Sequence, residues 1–149
     1  MTEQPRDFVR YLPLSQRPQV DESGVSSDWG ARLDEVEAAL SALAPRDRSA
    51  FDAAAAKARG RRRVRISDLG AALVAGYETD ARLEVDGAVS GAVALARVLA
   101  APLPIRAVVR GRTLKATDAG WELGTGPELA GTARELVLFL YGRAGLPGS

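Results

Sequence analysis

"TLKATDAGWELGTGPELAGTARELVLFLYGR", residues 113–143, decides the fold. Its first half is cut into short pieces by Asp118-Ala119-Gly120 and by Gly124-Thr125-Gly126-Pro127, and these residue types favour turns. Thr113–Thr117 and Trp121–Gly124 therefore read as short strands. Just upstream, Ile105, Ala107 and Val109 alternate with Arg106, Val108 and Arg110. That period of two predicts a further strand, closed by a turn at Gly111-Arg112. Three short strands joined by tight turns make an antiparallel meander. A helix follows. Thr132 and Glu135, three residues apart, form a capping box. Leu136, Phe139 and Leu140 give the helix a buried face, flanked by Val137 and Tyr141, and Gly142 stops it.

The glycines in GTGPELAGT, residues 124–132, raise a second reading, a loop that cradles phosphate. A P-loop requires Lys-Ser/Thr directly after its second glycine, and here Thr132 follows Gly131 with no lysine between them. Glu128 would repel an anion. A dinucleotide fingerprint needs a third glycine two residues after G-x-G plus a further strand, and the chain supplies neither. The glycines are read as turn glycines.

Composition narrows the chemistry. Lys+Arg 20 against Asp+Glu 19 leaves a net charge of +1, which calls for neither nucleic acid nor membrane as a partner. There is no Cys and no His. This chain alone therefore cannot catalyse through a thiol or an imidazole, nor hold zinc on histidines. No metal, cofactor or catalytic residue is expected. No run of about 18 apolar residues predicts a membrane span. The first residues lack an apolar segment ahead of a cleavage site, so no signal peptide is expected and a cytoplasmic location is the default.

Pro5, Pro13 and Pro18 make residues 1–27 a flexible, extended arm, whose apolar cluster Phe8–Leu12 is able to dock on the body. Residues 28–60 form a helical segment. In its first helix, 28–44, Leu33, Val36, Leu40 and Leu43 recur at spacings of three and four, with Ser27 or Asp28 as cap and Pro45 as stop. This narrow stripe either packs on its own domain or pairs with another chain as a homo- or hetero-oligomer. The second helix, 46–59, has only Phe51 as a large anchor and should be weakly held. Arg59, Arg61, Arg62, Arg63 and Arg65 form a basic patch. It reads as a solvated linker or a charged edge strand rather than a site that neutralises phosphates, because no aromatics are interleaved with it. Farther on, 66–77 reads as a helix capped by Ser67 and stopped by Gly76. Residues 81–86 alternate like a half-buried strand, and 89–100 return to helical spacing.

"ATDAGWELGTGPELAGTARELVLFLYGR", residues 116–143, resembles the C-terminal domain of the mycothiol-dependent maleylpyruvate isomerase family of actinobacteria. The residues that carry the resemblance are Ala116-Thr117-Asp118, Trp121, Gly124, Gly126, Gly131, the Leu-rich helix and Gly142-Arg143. The resemblance implies an α+β, sterol-carrier-protein-like domain over residues 61–149, a small antiparallel sheet packed with helices. The arm and one or two helices would precede it. It also implies a small apolar or thiol ligand, with Trp121 and Arg143 as candidate ligand-binding residues. Read from the sequence alone, Trp121 is instead core and Arg143 a charge that favours the end of its helix. Family members carry a metal-binding, DinB-like helical bundle ahead of this domain. With no His, and too few residues ahead of position 90 for that bundle, the metal site is not carried over. The expected function is a non-catalytic binding or interaction domain. The alternatives are a mycothiol-dependent enzyme component with its metal site on another chain, or a nucleic-acid-binding accessory protein acting through Arg59–Arg65. The interior is expected to be packed, and association to run through Leu33, Val36, Leu40 and Leu43.

Overall fold

Prolines, glycines and caps divide residues 28–148, the span described by the computed structural model, into six helices and three short strands. In chain order these are α1 (Gly30–Ala42), α2 (Ser49–Arg59), α3 (Ile66–Thr79), α4 (Gly87–Ala100), α5 (Leu103–Val109), β1 (Thr113–Ala116), β2 (Glu122–Gly124), β3 (Glu128–Gly131) and α6 (Ala133–Leu140). The class is α+β. The arm over 1–27, with its Phe8–Leu12 cluster and the Ser27 cap, lies outside the described residues.

Helix α3, which buries more residues than any other helix among the described residues, lies at the centre of the fold. It buries Leu69, Gly70, Ala72, Leu73, Val74, Gly76 and Tyr77. Gly76 does not stop it, as expected from sequence; the helix runs on to Thr79. A Cβ at position 76 would come within 2.8 Å of Leu83 Cδ2, so this glycine serves packing rather than termination. Nor is Ser67 the cap. The helix begins one residue after Arg65, whose N–H donates to Asp68 Oδ2 at 3.4 Å. Helix α2 is held better than a single large anchor suggested. Its Ala55 and Ala58 are buried beside Phe51, and small side chains let it approach α3 more extensively than any other helix pair does.

In α1, Leu33, Val36 and Leu40 are fully buried in the chain's own core and Leu43 is half-buried. The three fully buried positions of the stripe are thus covered within the chain, where α1 packs on α3. Asp28 Oδ1 accepts from Gly30 N–H at 3.0 Å and from Val64 N–H at 3.2 Å, joining the start of α1 to the chain just ahead of α3.

Two predicted strands are absent. Residues 81–86 alternate, with Leu83 buried and Glu84 exposed, but they pair with no strand. Residues 105–109 lie in α5. There Ile105, Val108 and Val109 also satisfy spacings of three and four, and Pro104 sits at the start, where a missing N–H costs nothing. Conversely, Glu128–Gly131, to which the sequence reading assigned no strand between the turn at 124–127 and the last helix, forms β3. The sheet is mixed rather than an antiparallel meander, in the order β2-β1-β3. Strand β2 runs antiparallel to β1 (Leu114 opposite Leu123), and β3 runs parallel (Leu114 opposite Leu129).

Register explains the glycines. Gly124 and Glu128 both lie opposite Thr113, on opposite sides of it. Residues 125–127 therefore wrap around the beginning of β1. Thr113 fastens the wrap by donating its N–H to Pro127 O and its hydroxyl to Gly126 O, each at 2.9 Å. At Gly126 φ is +117°, and a Cβ there would overlap the Gly111 carbonyl. The chain leaves β3 directly into α6, with the capping box as expected. Glu135 N–H donates to Thr132 Oγ1 at 3.1 Å and Thr132 N–H to Glu135 Oε2 at 2.9 Å. Gly142, with φ +70°, ends it; Arg143 N–H donates to Leu138 O at 2.8 Å and Gly142 N–H to Phe139 O at 2.9 Å.

Candidate functional site

Trp121 packs across the first turns of α4. Its Nε1–H donates to Ser90 Oγ at 3.0 Å, and its ring atoms Cδ1 and Cγ lie 3.2 Å from where a Gly91 side chain would begin. Ser90 is fully buried and is satisfied by this bond. Ser90 and Gly91 thus provide a seat for the indole, while Gly87 leaves room for the Ala119 carbonyl, a signal that helical periodicity alone does not carry. Arg143 is exposed and its Nε pairs with Glu78 at 3.5 Å. The two candidate ligand residues have separate partners. Leu114, Leu136 and Leu140, which a sheet–helix cavity would need as lining, are closed into the core.

The basic patch divides. Arg59 bridges α2 to α1 by donating to Asp34 Oδ1 at 2.8 Å and to Glu37 Oε2. These carboxylates hold its guanidinium above the usual arginine value. Arg61 Nε pairs with Asp68 at 3.2 Å. Arg61, Arg62, Arg63 and Arg65 line an open depression of about 690 Å³.

The least expected surface is the elbow of α4 and α5, whose axes meet at 115°. Leu95, Leu99 and Leu103 are 51%, 74% and 71% exposed. Leu103 also lines a depression of about 550 Å³, together with Val98, Ala107, Val109, Arg106 and Arg110. Residues 87–112 contain Arg97, Arg106, Arg110 and Arg112 and no Asp or Glu. Arg97 is occupied, its guanidinium lying 4.4 Å over the Tyr141 ring and its Nε donating to Leu140 O at 3.1 Å. Among the described residues, Arg106 and Arg110 form no ion pair. Sequence reading missed this surface because a strand over 105–110 turns Ile105, Ala107 and Val109 inward, whereas the helix leaves Ala107 facing out beside Leu103. Among the described residues, no single helix is long and apolar enough to cross a membrane.

Comparison of the chain with protein-family models, with curated proteins and with solved structures finds no match.

Proposed function

We propose that this chain is a non-catalytic, cytoplasmic interaction domain, related through residues 116–143 to the C-terminal domain of the mycothiol-dependent maleylpyruvate isomerase family. Its partner is an acidic, amphipathic helix of another protein, received on the α4–α5 elbow. The observation that carries the reading is the exposure of Leu95, Leu99 and Leu103 on these two helices, with Leu103 lining a concave depression that also holds Arg106 and Arg110. Exposed leucines cost solvation and mark contact surfaces when they cluster. A concavity between two helices suits the side-chain ridge of a third helix, and arginines that form no ion pair among the described residues select an acidic flank.

The probe is a 16-residue peptide with Leu at helical spacings and Glu elsewhere, labelled for fluorescence anisotropy. It should bind the full chain, more weakly at high salt, and Leu99→Asp with Leu103→Asp should abolish binding while leaving the melting temperature near that of the parent. Equal binding of the matching Leu/Lys peptide would contradict the charge argument. Binding to anionic phosphatidylglycerol vesicles in place of the peptide would make the elbow a membrane surface and overturn the reading.

A further inference from the structure

A second concavity, sharing no residue with the elbow, lies where the end of α3, the 81–86 segment, the β1–β2 turn and the first turn of α6 meet. Its volume is about 110 Å³, and Tyr77, Glu84, Asp118 and Arg134 provide its polar lining. Arg134 and Asp118 are held but not exhausted. Arg134 donates from Nε and Nη2 to the Tyr77 carbonyl, both at 3.3 Å, which fixes the guanidinium plane and leaves Nη1 without a hydrogen bond among the described residues. Asp118 gives Oδ1 to Ala133 N–H at 2.8 Å, which caps α6 and leaves Oδ2 uncommitted. The two carboxylates and the arginine share one cavity without forming an ion pair with each other. Tyr77 is only 2% exposed, yet its hydroxyl makes no hydrogen bond among the described residues.

No buried side-chain nitrogen or oxygen among the described residues lacks a partner, so the Tyr77 hydroxyl is not a stranded group but a donor at a cleft whose carboxylates, Asp118 and Glu84, are exposed. A ligand carrying both charges complements the spare donor of Arg134 and the carboxylates together. An anion alone would meet Arg134 but be repelled by Asp118 and Glu84; a cation alone would meet the carboxylates but be repelled by Arg134. Burial, and after it the Asp118 charge, raise the Tyr77 hydroxyl above its ordinary value, against the opposing effect of Arg134. The phenol therefore stays protonated at neutral pH and keeps its donor. At about 30 Å³ per water, the space equals about four waters, room for a molecule of about six non-hydrogen atoms.

We infer that this cleft binds a small zwitterion, a free amino acid of glycine or alanine size. Its carboxylate meets Arg134, its ammonium group meets Asp118 with Glu84 at the rim, and the Tyr77 hydroxyl lies between them.

Calorimetric titration of the full chain with glycine, L-alanine, methylammonium and acetate tests this. Glycine or alanine should bind, with methylammonium and acetate about tenfold weaker or more, since each makes only one of the two charge-assisted contacts. Asp118→Asn keeps the oxygen that caps Ala133 but loses the charge, and Tyr77→Phe keeps the packing but loses the hydroxyl. Each should weaken amino-acid binding about tenfold at an unchanged melting temperature. If Asp118→Asn unfolds, Arg134→Lys replaces it: the charge stays, the fixed fork goes, and binding should fall similarly. No heat with glycine or alanine at about 10 mM, methylammonium binding as tightly as alanine, or variants that bind like the parent would each overturn the inference.

Discussion

Tyr141 joins three parts of the molecule through one ring. Its face carries Arg97, and its hydroxyl end fills the space that a side chain at Gly70 would need. Gly70 is therefore fixed by a neighbour's shape, although it sits inside a helix where alanine has the better propensity. Gly70→Ala should destabilise the chain by about 1–3 kcal/mol through overpacking. In a Tyr141→Phe background, which lacks the oxygen, part of that loss should return. Urea denaturation of the four members of this cycle measures the coupling, and simple additivity would mean the two residues do not meet. Asp80 offers a second test at this scale. Hydrogen bonds from the Arg82 side chain, and then from its backbone N–H, lower its carboxyl to about 2. A carboxyl lowered on folding contributes stability above its unfolded value of about 4, and that contribution is lost as pH falls through the folded value. Arg82→Ala should thus lower the melting temperature at neutral pH and have little effect near pH 2.

Elements were legible where two independent signals agreed. The last helix had both an apolar face and a capping box, and it forms where expected. Where one signal stood alone, tertiary context decided. The alternation shows in burial only over 82–86, since Ala81 is exposed, and a strand needs a partner, which this segment does not have among the described residues. The window 105–110 is short enough to satisfy a period of two and one of 3.6 together, and Pro104 tips it to helix. Strand β3 was hidden because its partner, the far side of β1, is reached only by the wrap through Gly126. The same misreading hid the elbow, whereas the Tyr77–Asp118–Arg134 cleft joins residues too distant in sequence for any local pattern to unite. The wrap has a direct test. Gly120 has φ +72° with open space around it, so Gly120→Ala should cost only backbone strain, about 1–2 kcal/mol. Gly126→Ala adds the overlap with the Gly111 carbonyl and should cost distinctly more, with amide exchange quickening in β3. Equal costs would mean the wrap is loose.

The whole molecule is tied together by its core. Leu33, Leu40 and Phe51 from the helical segment belong to the same buried cluster as Leu114, Leu129 and Leu136 from the sheet and the last helix. Helix α3 contacts α1 and α2 as well as α4 and α6, so removing the first two helices would strip a large part of its surface. A division at residue 60, natural in the sequence because Gly60 and the arginines follow a helix, therefore cuts through one core. Leu40→Ala and Leu114→Ala, on opposite sides of that division, should each lower a single unfolding transition by about 2–5 kcal/mol. Far- and near-ultraviolet circular dichroism should follow the same curve in both variants. A fragment of residues 61–149 should lack near-ultraviolet signal, because Leu69 and Leu73 would lose the side chains that bury them. Native-like signal from that fragment, or two separate transitions in the intact chain, would mean that α1 and α2 are an appended layer and that the sheet with α3–α6 is the folding unit.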